Sequence, residues 1–128
     1  MDKKHLLLVD DDINLLNTLE FVLKSANYDV TTAANGQEAL ETILTAKGSN
    51  HPIDLLLTDI RMPRLTGLQL IDEVNRCNGK IPIIVISAYQ DKELVTALKG
   101  RGCADFLDKI PDEEELVRRI DLVLRKGV

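Results

Sequence analysis

Short apolar runs of strand length alternate along this chain with segments whose apolar residues recur at helical spacing, and five such pairs follow one another. That alternation constrains the fold more than any other feature. Successive strands separated by helices pair in parallel, and a parallel sheet must have both faces covered. Leu6-Leu7-Leu8-Val9 reads as the first strand, and Leu15, Leu19, Val22 and Leu23 form the stripe of the first helix. Tyr28 to Ala33, rich in Thr and Val, suits a second strand, and Asn35-Gly36 turns the chain into a helix that ends near Ala46.

Gly48-Ser49-Asn50-His51-Pro52 is a loop by composition, and the apolar run Leu55-Leu56-Leu57-Thr58 after it is a third strand that ends at Asp59. Pro63 and Gly67 reset the chain for a third helix marked by Leu70, Ile71 and Val74, which Asn78-Gly79 breaks. The most β-branched run, Ile81 to Ile86, suits an interior strand ending at Ser87. Leu94 and Leu98 give a short fourth helix with a weak stripe, closed by Gly100 and Gly102 before a brief strand at Asp105 to Leu107. The last helix is specified best: Asp112 and Glu115 have capping-box spacing, and Leu116, Ile120, Val123 and Leu124 share one face.

A chain of 128 residues fits one domain, 1–128, with one sizeable core and no linker or repeat. The net charge of -5, with sixteen basic residues scattered along the chain, leaves no basic patch of the kind that binds nucleic acid directly. Cys77 and Cys103 lack the spacing of zinc or thiol-redox motifs and read as reduced packing residues. The start has four apolar residues before an acidic run, too few for a signal peptide or membrane span, so the expected location is the cytoplasm.

Four of the five strands end in a residue able to handle phosphate or a metal: Asp10 and Asp11 after the first, Asp59 after the third, Ser87 after the fourth and Lys109 after the fifth. In a doubly wound, flavodoxin-like sheet of strand order 2-1-3-4-5, the second strand is an edge and the ligand crevice lies outside the first and third. The polar residues then converge on one pocket. Taken singly, Asp12 reads best as a helix cap, Asp59 could cap a turn, Ser87 could bond its own backbone and Lys109 could be a surface lysine. The repeated strand-end register argues for a common role.

Carboxylates brought together repel one another unless a cation sits among them. Mg²⁺ and Lys109 meet that need: two charges on the metal and one on the lysine balance three carboxylates, and a hard cation prefers the oxygens of an incoming phosphoryl group. A carboxylate is itself a covalent nucleophile in phosphoryl transfer, and such transfer needs little beyond positioning and electrostatics. Asp59 is the candidate acceptor.

Over nearly its full length the chain resembles the receiver domain of two-component response regulators. The resemblance rests on Leu8-Val9-Asp10-Asp11-Asp12, on Asp59 to Gly67 with Met62-Pro63, on Ser87-Ala88, and on Asp105-Phe106-Leu107-Asp108-Lys109. It implies a phosphorelay module in which Asp59 takes a phosphoryl group from the phosphohistidine of a sensor histidine kinase or phosphotransfer protein. It further implies that Asp11, Asp59 and the backbone carbonyl of Arg61 hold Mg²⁺, with Asp10 assisting through a bound water. Ser87 and Lys109 would each meet a phosphoryl oxygen, and Phe106 matches the aromatic that turns inward when Ser87 moves. About 5.5 kcal/mol takes a two-state equilibrium from 1:99 to 99:1. Two or three charged hydrogen bonds of roughly 1.5 to 3 kcal/mol each suffice for that switch. The fourth helix is the element expected to shift, and the fourth and fifth helices together are a candidate homodimer face. A downstream output domain or protein would read the change.

One position departs from the family pattern: Ile110, not proline, follows Lys109, and the proline comes next as Pro111. A cis bond before isoleucine costs about 2.5 to 4 kcal/mol, so a trans Lys109-Ile110 peptide with the ammonium still reaching the pocket is expected. By the same resemblance Arg61 and Tyr89 hold variable positions that set phosphoryl lifetime, their bulk hindering in-line water. His5 and His51 lie outside the cluster and read as ordinary surface histidines.

Two other functions compete. Asp10-Asp11-Asp12 contains the Asp-x-Asp pattern of Mg²⁺-dependent phosphohydrolases that use an aspartyl phosphate, but the chain has no room for a substrate-covering cap. A phosphate-independent receiver-like interaction module would typically lack the acceptor or the metal acids, and both are present. The chain is therefore expected to catalyse only its own phosphorylation and dephosphorylation.

Overall fold

The computed structural model describes residues 3–60, 66–78, 81–87, 92–107 and 112–126. Strands β1 (His5–Val9), β2 (Asp29–Ala33), β3 (Leu55–Thr58), β4 (Ile83–Ile86) and β5 (Asp105–Leu107) alternate with helices α1 (Ile13–Ser25), α2 (Gly36–Ala46), α3 (Gly67–Asn78), α4 (Lys92–Gly100) and α5 (Glu113–Lys126). The strands form one parallel sheet in the order β2-β1-β3-β4-β5, as the alternation predicts. Among the described residues no helix is long and apolar enough to cross a membrane.

Both faces of the sheet are covered, which is why the inner strands β1, β3 and β4 are buried at every position and apolar at nearly all of them. Leu6, Leu8, Leu55, Leu57, Ile84 and Ile86 point to one face and pack against Leu16, Leu19 and Leu23 of α1 and Leu116, Ile120 and Val123 of α5. Leu7, Val9, Leu56, Ile83 and Val85 point to the other, against Ala39 and Ile43 of α2 and Leu70, Ile71 and Val74 of α3. Helix α4 joins that second layer through Leu98, its one buried residue.

Local chemistry bounds helices α1, α2 and α4. Asp12 caps α1 through the Leu15 N–H at 3.2 Å, and Asn35 caps α2 through the Glu38 N–H at 2.8 Å. At the far end of α1, Asn27 takes φ of 75°, and the Asn27 and Tyr28 N–H groups return to the carbonyls of Lys24 and Leu23. Gly102, at φ of 80°, closes α4 in the same way, with its own and the Cys103 N–H bonded to Lys99 and Leu98.

Three details differ from the sequence reading. Helix α1 buries Leu16, Leu19 and Leu23, while Leu15 is only partly buried, because the run of leucines offers two overlapping stripes and packing selects one. Strand β4 starts at Ile83 and not Ile81, since Pro82 has no N–H to give the ladder; its carbonyl still accepts the Leu56 N–H at 3.0 Å. His5 is not a surface residue. It lies in β1 at 6% exposure, and its ring stacks on that of His51 with centroids 3.9 Å apart. The carbonyl of His51 can only accept, so His5 Nδ1 donates to it at 3.1 Å, and Nε2 meets the Thr31 hydroxyl at 2.7 Å. This pair closes the amino-terminal edge of the sheet, opposite the edge where Asp59 lies.

Cys77 and Cys103 are free, partly buried thiols, as expected. Burial pushes the Cys103 thiol up to about 11, against a smaller downward pull from Arg101, so it packs as a neutral apolar group.

Ile84 is fully buried where β4 meets the layer of α1 and α5. Ile84→Ala is expected to cost about 2 to 5 kcal/mol. Urea unfolding should show a lower midpoint with an unchanged slope.

Candidate functional site

The register of the sheet brings the candidate residues to one edge. Val9 of β1 pairs with Thr58 of β3, and Thr58 pairs with Val85 of β4, so Asp10 and Asp59 leave adjacent strands side by side. Backbone bonds hold each exit in place: the Asp10 N–H donates to Ala33 at 3.2 Å, the Asp59 N–H to Val9 at 3.0 Å and the Ser87 N–H to Leu107 at 3.0 Å.

Asp10, Asp59 and Ser87 are all buried, whereas Asp11 is exposed. Asp10 is therefore no part of a solvated turn. Its Oδ1 accepts the Asp12 N–H at 2.9 Å, which folds the acidic run back on itself and leaves Asp12 to cap α1. Among the described residues, Asp10, Asp11 and Asp59 form a cluster whose carboxylate oxygens come within 4.8 Å of one another. All its donors are hard oxygens, the set that suits Mg²⁺ and not a soft metal.

The acceptor candidate sits in a tightly specified seat. Asp59 Oδ1 accepts the N–H of Ile60 at 2.7 Å, and the Asp59 carbonyl accepts the hydroxyl of Thr58 at 2.9 Å. The Ile60 carbonyl in turn accepts the N–H of Gly67 at 2.9 Å, drawing the start of α3 against the end of β3. A Cβ at position 67 would stand 2.3 Å from the Asp59 carbonyl oxygen and 2.6 Å from Ile60 Cα. Gly67 thus does more than reset the chain for a helix. Only a residue without a side chain allows that approach.

Phe106 lies half-buried in β5 and packs against the layer formed by α2 and α3. Its N–H donates to Asp105 Oδ1 at 2.9 Å. The same carboxylate is gripped by the guanidinium of Arg119, whose Nη2 lies 2.6 Å from Oδ1, while Arg119 Nη1 reaches Glu115 at 3.0 Å. The hydrogen bond to Asp105, followed by that to Glu115, raises the Arg119 pKa above its ordinary value.

Arg61, Tyr89 and Lys109, with the Lys109-Ile110 peptide, lie outside the described residues. The structure brings Asp10, Asp11 and Asp59 together, with Ser87 on the neighbouring strand exit. Sequence reading missed Thr58, which passes for an ordinary strand residue; the available signal was a hydroxyl directly before the candidate acceptor in a run otherwise of leucines.

Residues 6–121 match the family described as the response regulator receiver domain. The chain is 35% identical over 123 residues to the transcriptional regulatory protein GlrR of Escherichia coli, covering 96% of this chain and 27% of that protein. It is 38% identical over 123 residues to the probable transcriptional regulator ycf27 of Cyanidium caldarium, covering 95% of this chain and 47% of that protein. The chain thus spans less than half the length of these relatives. Its fold is similar to that of a CheY-like response regulator receiver domain protein from Methanospirillum hungatei, with TM-score 0.89, 25% identity, and coverage of 98% of this chain and 97% of that one.

Gly67→Ala should force the Asp59 carbonyl away from α3. A loss of about 1 to 3 kcal/mol in stability is expected, the usual cost of overpacking, together with weaker Mg²⁺ binding. Urea unfolding and calorimetric Mg²⁺ titration of the variant check the two effects.

Proposed function

Because this chain belongs to the response regulator receiver domain family, we propose that residues 1–128 act as one phosphoacceptor module whose acceptor is Asp59. The observation that carries the reading is the cluster of Asp10, Asp11 and Asp59 at adjacent strand ends, with Asp59 seated by Thr58, Ile60 and Gly67. In the reaction, an Asp59 carboxylate oxygen attacks the phosphorus of a phosphohistidine. The P–N bond breaks as the P–O bond forms, and the donor imidazole, protonated on its other ring nitrogen, keeps the electron pair and leaves neutral.

Asp11, Asp59 and the backbone carbonyl of Arg61 would hold Mg²⁺, with Asp10 in support; the metal supplies charge neutralisation and oxygen affinity for the phosphoryl group. The chain's own residues do the rest. Ser87, held by its N–H to Leu107, is on hand to donate its hydroxyl to one phosphoryl oxygen, and Lys109 pairs with another. Phe106 turns further inward as Ser87 moves. The donor is a sensor histidine kinase or phosphotransfer protein, and an output domain or protein reads the altered α4, β5 and α5, by way of a homodimer where those helices pair. The working location is the cytoplasm, and the chain turns over no substrate other than its own acyl phosphate.

Incubation with acetyl phosphate and Mg²⁺ should add one phosphoryl group by intact mass, with no gain in Asp59→Asn or without Mg²⁺. No gain in the unmodified protein overturns the reading. Replacing both Arg61 and Tyr89 with alanine should speed loss of the group by roughly tenfold, a barrier change of about 1.4 kcal/mol. An unchanged decay rate would remove these two residues from control of the lifetime.

A further inference from the structure

The peptide group joining Asp59 to Ile60 is held at both of its polar atoms. Its carbonyl oxygen accepts the Thr58 hydroxyl at 2.9 Å, and its N–H donates to the Asp59 carboxylate at 2.7 Å. A peptide is planar, so fixing the oxygen fixes the direction of the N–H on the other side. The geometry points to Thr58 as a positioning residue for phosphoryl acceptance: its hydroxyl sets the rotation of the Asp59-Ile60 peptide, and that peptide's N–H sets the carboxylate of Asp59.

The hydroxyl stands at the carboxyl end of β3. Thr58 is the last residue of β3, and it is paired with Val9 on one side and Val85 on the other. Beyond it the Asp59 carbonyl lies in a buried site, with the start of α3 pressed against it, since a Cβ at Gly67 would overlap this same oxygen. A buried carbonyl needs hydrogen bonding, and a side chain supplies a bond to this one. Thr58 is itself only 1% exposed, so its hydroxyl is shielded from bulk water while it donates to the Asp59 carbonyl. Valine has the same shape without the hydroxyl, so it removes this hold on the peptide and lets it turn. Turning the peptide moves the Ile60 N–H off Asp59 Oδ1. The nucleophile then loses its alignment, and small misplacements at a reacting centre cost rate steeply.

This inference rests on Asp59 being the acceptor, and the test separates the two. Thr58→Val and Thr58→Ser are compared with the unmodified protein by two readouts: the ¹⁵N–¹H resonance of the Ile60 amide, and the rate of phosphorylation by acetyl phosphate at saturating Mg²⁺. Thr58→Val should shift the Ile60 amide proton upfield and slow phosphorylation by about tenfold or more. Thr58→Ser, which keeps the hydroxyl, should restore both. Should Thr58→Val fail to fold, Thr58→Ala makes the same comparison without the β-branched side chain. An unmoved Ile60 resonance in the hydroxyl-free variant overturns the proposal even if the rate falls, because the loss then reaches Asp59 by another route. Equal losses in the serine and valine variants also overturn it, by tracing the effect to the threonine methyl. If the unmodified protein takes up no phosphoryl group, the acceptor assignment fails, while the Ile60 resonance still decides whether Thr58 positions the carboxylate.

Discussion

The register of β1 against β3 is the constraint from which the site follows. Val9 faces Thr58, so the next residue on each strand is an aspartate, and the two leave the sheet together. Leucines on both faces enforce that pairing, since every residue of these strands is buried against helices. A slip of one residue would exchange the two faces of β3, and a slip of two would move Asp59 along β1 by about 6.6 Å, beyond reach of Asp10. The apolar core therefore does chemical work at a distance. It brings like charges to one edge and supplies the energy that keeps them there.

Backbone donors offset part of the repulsion within that edge. Asp10 turns an oxygen to the Asp12 N–H, Asp59 turns one to the Ile60 N–H, and Asp11 stays in solvent. Backbone donors are fixed dipoles that lose no freedom when charge develops nearby, which is why they serve well beside a nucleophile. The opposite edge shows a different solution to a related problem. There Asp54 Oδ2 accepts the His5 N–H at 2.7 Å, while the stacked His5 and His51 rings tie the loop before β3 onto β1. The sheet is pinned at one pole, and its reactive groups gather at the other.

Most of this was legible in the sequence, because parallel strands buried on both faces appear as near-continuous apolar runs and strand ends can be counted from them. Strand order, the convergence of Asp10, Asp11 and Asp59, and the capping role of Asp12 followed from that count. What escaped depended on long-range packing. The burial of His5 is produced by a loop 46 residues away, which no local pattern announces. The α1 stripe was ambiguous because Leu15 and Leu16 adjoin, and only contact with the sheet decides which turns inward. Thr58 was read as an ordinary strand residue and Gly67 as a helix start, since their contacts at the Asp59 carbonyl depend on an approach of α3 to β3 that exists only in the folded chain.

A chain of bonds runs from the site to the surface of α5. Ser87 is bonded through its N–H to Leu107, the last residue of β5, and β5 is only three residues long. At its other end Asp105 holds the Phe106 N–H and is itself held by Arg119 of α5. A strand of three residues thus links Ser87 to Phe106 and to the Asp105–Arg119 pair through a short run of bonds. That pair is only partly exposed, about a quarter on average by side chain, so it is less screened than a surface ion pair. Helix α4 offers the contrasting case. It buries Leu98 alone, and its carboxyl end is tied to α3 by Arg101, which donates to Asp72 at 2.8 Å and to Ala97 at 3.2 Å. Few buried contacts mean a low cost of displacement. Beside a β5 tied to α5 through Asp105, α4 is the element of this side of the sheet whose displacement uncovers the least buried surface.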